Sequence, residues 1–270
     1  MDKLAPSTSF EFLNYSTDSE PLPESKHSLS VKKDAFWSYG GPLLCQPDDL
    51  PPSLQDWAAA TLSSSIVPLL LPLLSFVNDF VAKNGLDHYW LTIRATRATA
   101  EFDKPRWHTD DMFFSDCAEK GKRRLDLQTD WKLCATLLGP TTMFIPAEHQ
   151  TAARTTSLST RRALATDHAC TSIRCVGCAA TADAVRNRLA GELAPLGLVQ
   201  PAPGEASVFR IGQERGAVHS EPCMSRGDRI FVNIVPGKKD ELTNLMTKWG
   251  MNFPRSWWVA PNVLRGHDSI

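Results

Sequence analysis

Two short stretches, Pro105-Arg106-Trp107-His108-Thr109-Asp110 and Gly216-Ala217-Val218-His219, constrain the fold of this chain more than anything else in it. In an extended strand, residues i and i+2 point to the same side. His108 and Asp110 therefore converge while Thr109 turns away. His219 comes 111 residues after His108, and only tertiary folding can bring it to the same point. Arg229 follows ten residues later, at the head of Arg229-Ile230-Phe231-Val232-Asn233-Ile234-Val235. The alternation of that run places Arg229, Phe231 and Asn233 on one face and Ile230, Val232 and Ile234 on the other.

The rest of the chain gives this constellation a β-rich setting. Tyr89–Thr96, Lys132–Leu138, Thr141–Ile145 and Ala206–Ile211 read as further strands, bounded by Gly139-Pro140, Pro146 and Pro203-Gly204. Residues 51–83 read as helical, with Ser53 as N-cap and Asn84-Gly85 as the stop. Pro68 and Pro72 predict two helices or a kink there rather than one rod. Ala182, Val185, Leu189 and Leu193 have helical spacing, and a last helix spans about Lys239–Trp249. Residues 147–168, dominated by Thr, Ala, Ser and Arg, read as a surface excursion. Short strands flanked by helices predict an α+β chain with an antiparallel sandwich or barrel. A dinucleotide fold would need a Gly-rich turn between strand and helix, and the sequence has none.

Residues 1–30, rich in Ser, Pro, Glu and Asp, are expected to form a loose arm that docks through Phe10, Phe12 and Leu13. Residues 31–270 are expected to form one domain with its core at about 89–236. A net charge of −1 gives no electrostatic footprint for nucleic acid. The most apolar run, Ile66–Val77, is too short for a bilayer, which needs about 20 residues. Seven cysteines and no basic-then-apolar start point to reduced thiols in an intracellular, cytoplasmic protein.

Two imidazoles and one carboxylate are the facial donor set of a non-heme Fe(II) site, which leaves the opposite face open. A 2-oxo diacid chelating such a metal leaves its far carboxylate in a water-poor pocket, and an arginine fork suits that group. His-x-Asp, a distal His and an Arg ten residues later resemble the Fe(II)/2-oxoglutarate-dependent dioxygenase superfamily. The resemblance covers roughly residues 89–236 and implies a double-stranded β-helix, or jelly roll, with flanking helices. It also implies that His108, Asp110 and His219 bind Fe(II) and that Arg229 binds the C5 carboxylate of 2-oxoglutarate. The implied reaction consumes dioxygen, decarboxylates 2-oxoglutarate to succinate and oxidises a small organic substrate, such as an amino acid or secondary metabolite, by hydroxylation, desaturation or oxidative rearrangement.

The chain departs from the family in one respect: many members carry Ser or Thr two residues after the Arg, where this chain has Phe231. A second polar contact to the co-substrate then falls to Asn233, Thr92, Thr136 or Thr142, and Arg226 is an alternative clamp. Two rival readings are a cupin-like metalloenzyme without 2-oxoglutarate and a non-catalytic β-sandwich binding protein. Asp111 reads as a surface or supporting acid, and Trp107, Met112, Phe113 and Phe114 as pocket wall or core. Cys170, Cys175 and Cys178 with His168 offer a Cys₃His zinc set, but with a single C-x-x-C knuckle they read more simply as reduced thiols. The basic segment Arg154, Arg161, Arg162 and Arg174 reads as a solvated surface, and Trp257-Trp258 as packing.

Overall fold

The alternation of residues 229–235 is realised in β8 (Arg229–Gly237), at the centre of a seven-stranded antiparallel sheet. The computed structural model describes residues 8–16, 29–100, 103–114, 129–165, 176–225 and 227–259. Along the chain come β1 (Phe10–Asn14), β2 (Ala35–Pro42), α1 (Pro52–Thr61), α2 (Val67–Lys83), β3 (His88–Thr96), β4 (Trp131–Leu138) and β5 (Met143–Phe144). There follow α3 (Gln150–Leu164), α4 (Val176–Glu192), β6 (Glu205–Arg210), β7 (His219–Ser220), β8, α5 (Lys239–Lys248) and β9 (Arg255–Val259). The large sheet has the order β1-β6-β4-β8-β3-β2-β9. A small sheet pairs β5 with β7, and single bridges extend it, His108 to His219 and Val199 to Phe144. The protein is thus mixed α/β, with five α-helices and one dominant antiparallel sheet among the described residues.

Each central strand of the large sheet has two chemically distinct faces. Ile230, Val232 and Ile234 of β8, Leu133 and Ala135 of β4, and Leu91 and Ile93 of β3 are fully buried in the main core. Leu70, Leu73, Leu74, Val77 and Val81 of α2 cover that face, recurring at three- and four-residue steps. Each such side chain contributes about 1.5–3 kcal/mol of hydrophobic stabilisation. Residues 51–83 do form two helices. Pro51 and Pro52 begin α1 where free N–H groups are not needed, so Ser53 is not the cap; its hydroxyl accepts a hydrogen bond from Trp37 Nε1 at 2.9 Å instead. Pro68 sits in the first turn of α2, and Pro72 lies inside the helix.

Two expectations need correction. Residues 150–164 are a helix rather than a surface excursion. The buried stripe of α3 is Ala153, Ser157 and Thr160, small or polar residues with no apolar periodicity to read. It packs on Val185 and Leu189 of α4, and Thr160 Oγ1 donates to Glu192 Oε2 at 2.8 Å. Phe10–Asn14 is a strand at the sheet edge, its Phe10 and Leu13 buried and its partner β6. Ala35–Pro42 is also a strand, hidden from the alternation by Gly40 and Gly41. A side chain at Gly40 would strike Met246 Sδ of α5, so the glycine is what lets that helix dock. Trp257 and Trp258 lie in β9, which pairs with β2 at the opposite edge.

The second face of the large sheet looks toward the small sheet. Phe10, Phe144 and Phe209 interlock between them, with ring centroids 4.8 Å and 5.3 Å apart. Lys132, Cys134 and Thr136 of β4 and Arg229, Phe231 and Asn233 of β8 share this face with Phe209. No helix among the described residues is long and apolar enough to cross a membrane.

Candidate metal centre

The small sheet holds the candidate ligands. His108 N donates to His219 O, and His219 N donates to His108 O, each at 2.9 Å. Backbone pairing therefore sets the spacing of the two imidazoles, whose ring centroids are 4.4 Å apart. His108 and Asp110 do not share the regular strand that their i and i+2 spacing predicts. His108 makes only a single bridge, and Asp110 lies just beyond it in irregular backbone. Asp110 is steadied by its own carbonyl, which accepts from Gly212 N at 2.7 Å. The convergence still holds: one donor atom from each of His108, Asp110 and His219 lies within 4.8 Å of the others.

Both histidines have a fixed orientation. His108 Nδ1 meets Arg106 O at 2.7 Å, and His219 Nδ1 meets Ala217 O at 2.9 Å. A carbonyl only accepts, so each Nδ1 carries a proton and each Nε2 is the ring nitrogen turned toward Asp110. The Nε2 atoms lie 3.7 Å from the two oxygens of Asp110. Phe144 and Phe209 flank the buried His219 ring. That burial, with His108 beside it, pushes the imidazole down to about 3, so it is neutral at ordinary pH. For Asp110, burial would raise the carboxyl, but Lys132, His219 and His108 outweigh it and hold the group below its usual range. Neutral imidazoles and an ionised carboxylate are the forms a divalent metal takes. The donor set therefore fits a divalent metal ion, Fe(II) among them.

Behind the histidines, Gln150 braces the strand. Its Oε1 accepts from Val218 N at 2.7 Å, and its Nε2 donates to Ile145 O at 2.7 Å and to Val218 O at 3.2 Å.

Arg229 lies across the gap on the large sheet. It is 5% exposed. Its Nε donates to Pro140 O at 3.0 Å, its Nη2 donates to Thr142 Oγ1 at 3.1 Å, and its guanidinium stacks 4.2 Å from the Phe231 ring centroid. No carboxylate among the described residues forms an ion pair with it. Burial lowers it to about 10. Two of its five N–H donors have hydrogen-bond partners among the described residues.

Of the four polar candidates, Thr142 is the one that touches Arg229. Asn233 lies between Thr92 and Cys134 in the ladders, and its buried Oδ1 has no partner among the described residues. Thr92 is engaged with Ser38 at 3.0 Å, and Thr136 lies opposite Phe231. Arg226, Arg174, Cys170, Cys175 and His168 lie outside the described residues; Cys178 is exposed. Asp111 is exposed and accepts from Gln213 Nε2 at 3.0 Å. Trp107 is buried and also lines a cavity beside His108, whereas Phe114 is a buried packing residue. Met112 and Phe113 lie against the aromatic cluster between the sheets.

The sequence reading overlooked Lys132. It is 8% exposed, and its Nζ forms an ion pair with Asp110 Oδ2 and sits 5.0 Å from the Phe209 ring centroid. A charged residue second in an otherwise apolar, alternating strand was the available signal. Scanned against protein-family models and against curated proteins, the chain finds no match.

Proposed function

We propose that the chain is an Fe(II)- and 2-oxoglutarate-dependent oxygenase built on a double-stranded β-helix and acting on a small, polar organic substrate. The observation that carries the reading is Arg229: a buried cation, without an ion-pair partner among the described residues, on the sheet facing His108, Asp110 and His219. An unpaired buried charge is costly, and a bound carboxylate would remove that cost. When bound, the iron supplies the oxidising chemistry, coupled to conversion of 2-oxoglutarate to succinate. The protein holds the three donors in place, orients the diacid between metal and Arg229, and excludes water with Phe144, Phe209 and Phe231.

The path of the chain supports the fold. From β3 to β8 its segments fall in the large sheet, the small (at His108), the large (β4), the small (β5), the small (at Val199), the large (β6), the small (β7) and the large (β8). Apart from the step from β5 to Val199, the chain crosses between the sheets at each segment, which supports the winding of a jelly roll. The substrate reading rests on a cavity of about 700 Å³ beside His108, lined by Arg106, Asp111, Arg161, Arg186 and Glu221 among others. Its size suits a small molecule and its lining a polar one. Glu221 on its rim is held by Arg106 and, at 3.8 Å, by Arg94.

Anaerobic titration of the Fe(II)-loaded protein with 2-oxoglutarate tests the reading. We expect the weak visible metal-to-ligand charge-transfer band of a chelated 2-oxo acid. Iron binding without that band would shift the reading to a cupin-like metalloenzyme, and absence of iron binding would end the metalloenzyme reading.

A further inference from the structure

The arrangement described above leaves the role of Lys132 open. On β4, Trp131, Leu133 and Ala135 enter the core, while Lys132 and Cys134 face the small sheet. The three metal donors belong to the small-sheet side of the gap, and Lys132 belongs to the other. A metal held by His108, Asp110 and His219 would lie within reach of Lys132, which already contacts Asp110. Arg229 stands further along the same face, with Cys134 between; the buried thiol lies in the electrostatic field of Lys132, Arg229 and Asp110 alike. This row of side chains has a cation at each end.

Without metal, Lys132 is the counter-ion of Asp110. A divalent ion at the triad carries twice that charge and takes over the carboxylate, so the ammonium and the metal repel each other across a short distance. Among Phe209, Cys134 and Asn233, which share its sheet face, a displaced ammonium needs another anion. The anion that would stand there is the ligand on the open face of the metal. We infer that Lys132 is a second anion anchor, which leaves Asp110 on metal loading and pairs with the metal-proximal carboxylate of a 2-oxo acid while Arg229 holds the distal one. This inference rests on the function proposed above.

The test compares wild type, Lys132→Met and Arg229→Met, each loaded with Mn(II), by calorimetry and Mn(II) electron paramagnetic resonance. The probes are oxalate, which has only the metal-proximal chelating end, and 2-oxoglutarate. Lys132→Met should bind Mn(II) at least as tightly as wild type and bind both probes ten- to hundredfold more weakly, the loss of one charge-assisted hydrogen bond. Arg229→Met should weaken 2-oxoglutarate and spare oxalate. Lys132→Arg, which keeps the charge, should retain most of the oxalate affinity. If the Met variant does not fold, Lys132→Gln takes its place. A large loss of Mn(II) affinity with unchanged probe binding would overturn the inference and reduce Lys132 to a positioning residue for Asp110. Failure of the wild type to bind Mn(II) would instead refute the metal centre itself.

Discussion

Replacing Arg229 with methionine should uncouple stability from co-substrate binding. The fall of this guanidinium from the ordinary arginine range to about 10 corresponds to roughly 3 kcal/mol of unfavourable environment for the charged form. Against this stand two hydrogen bonds, to Pro140 O and Thr142 Oγ1, each contributing about 1–3 kcal/mol because the donor is charged. Methionine fills a similar volume, keeps a contact with Phe231 and removes the buried charge. The metal-free variant should therefore match wild type to within about 1 kcal/mol, or exceed it. Loss of a buried ion pair to the distal carboxylate should weaken 2-oxoglutarate by about 2–5 kcal/mol, or thirtyfold and upward. Urea denaturation of the metal-free proteins and calorimetry with 2-oxoglutarate on the Mn(II) forms read the two effects separately. A loss of several kcal/mol in stability with unchanged 2-oxoglutarate affinity would refute the reasoning. Arg229 would then be a structural clasp for the turn at Pro140 and not a ligand group.

Three further outcomes follow from the same geometry. His108→Ala should lower Fe(II) or Mn(II) affinity by at least about a hundredfold while circular dichroism stays native, because His108 pairs with His219 through backbone atoms; undiminished metal content would sink the triad. His219, held down at about 3 by burial, stays unprotonated in the folded state, while the unfolded chain takes up a proton near pH 6.5. Its contribution is thus complete above that pH and is lost as the pH falls toward about 3, at up to about 1.4 kcal/mol per pH unit. Urea midpoints of the metal-free protein should accordingly drop between pH 7 and 5 more steeply for wild type than for His219→Gln, and parallel slopes would contradict the burial argument. Gly139→Ala should destabilise the protein by about 2 kcal/mol in thermal or urea melts, since Gly139 has φ +86° and an added Cβ would strike Asp228 O; a neutral result would show that the turn before Arg229 relaxes freely.

The sequence was most legible where chemistry and local period coincide. His108, Asp110 and His219 could be chosen because few residue types ligate iron, and the face shared by Arg229, Phe231 and Asn233 follows from alternation alone. What supports Arg229 was not readable. Thr142 lies 87 residues away in sequence, and nothing local separates it from Thr92 or Thr136. Lys132 reaches Asp110 across the gap between the sheets, so its role depends on how β4 faces the small sheet. Helix α3 escaped because the stripe it buries is alanine, serine and threonine, which carry little hydrophobic signal. β1 and β9 are short edge strands whose assignment depends on partners, Phe209 for Phe10 and Trp37 for Trp258, rather than on their own residues.

The register of the large sheet also bears on how this protein is made. Phe10 pairs with Phe209, His88 with Gly237, and His108 with His219. Nearly every pairing that builds the centre joins an early segment to a late one, so loop closure is costly before contacts repay it, and such topologies fold slowly. On a ribosome, the first histidine and the aspartate emerge long before their partner strand exists. The nascent chain holds half a metal site until β7 arrives, and β8 then locks between β3 and β4. A metal ion could therefore meet all three donors only after β7 has joined His108.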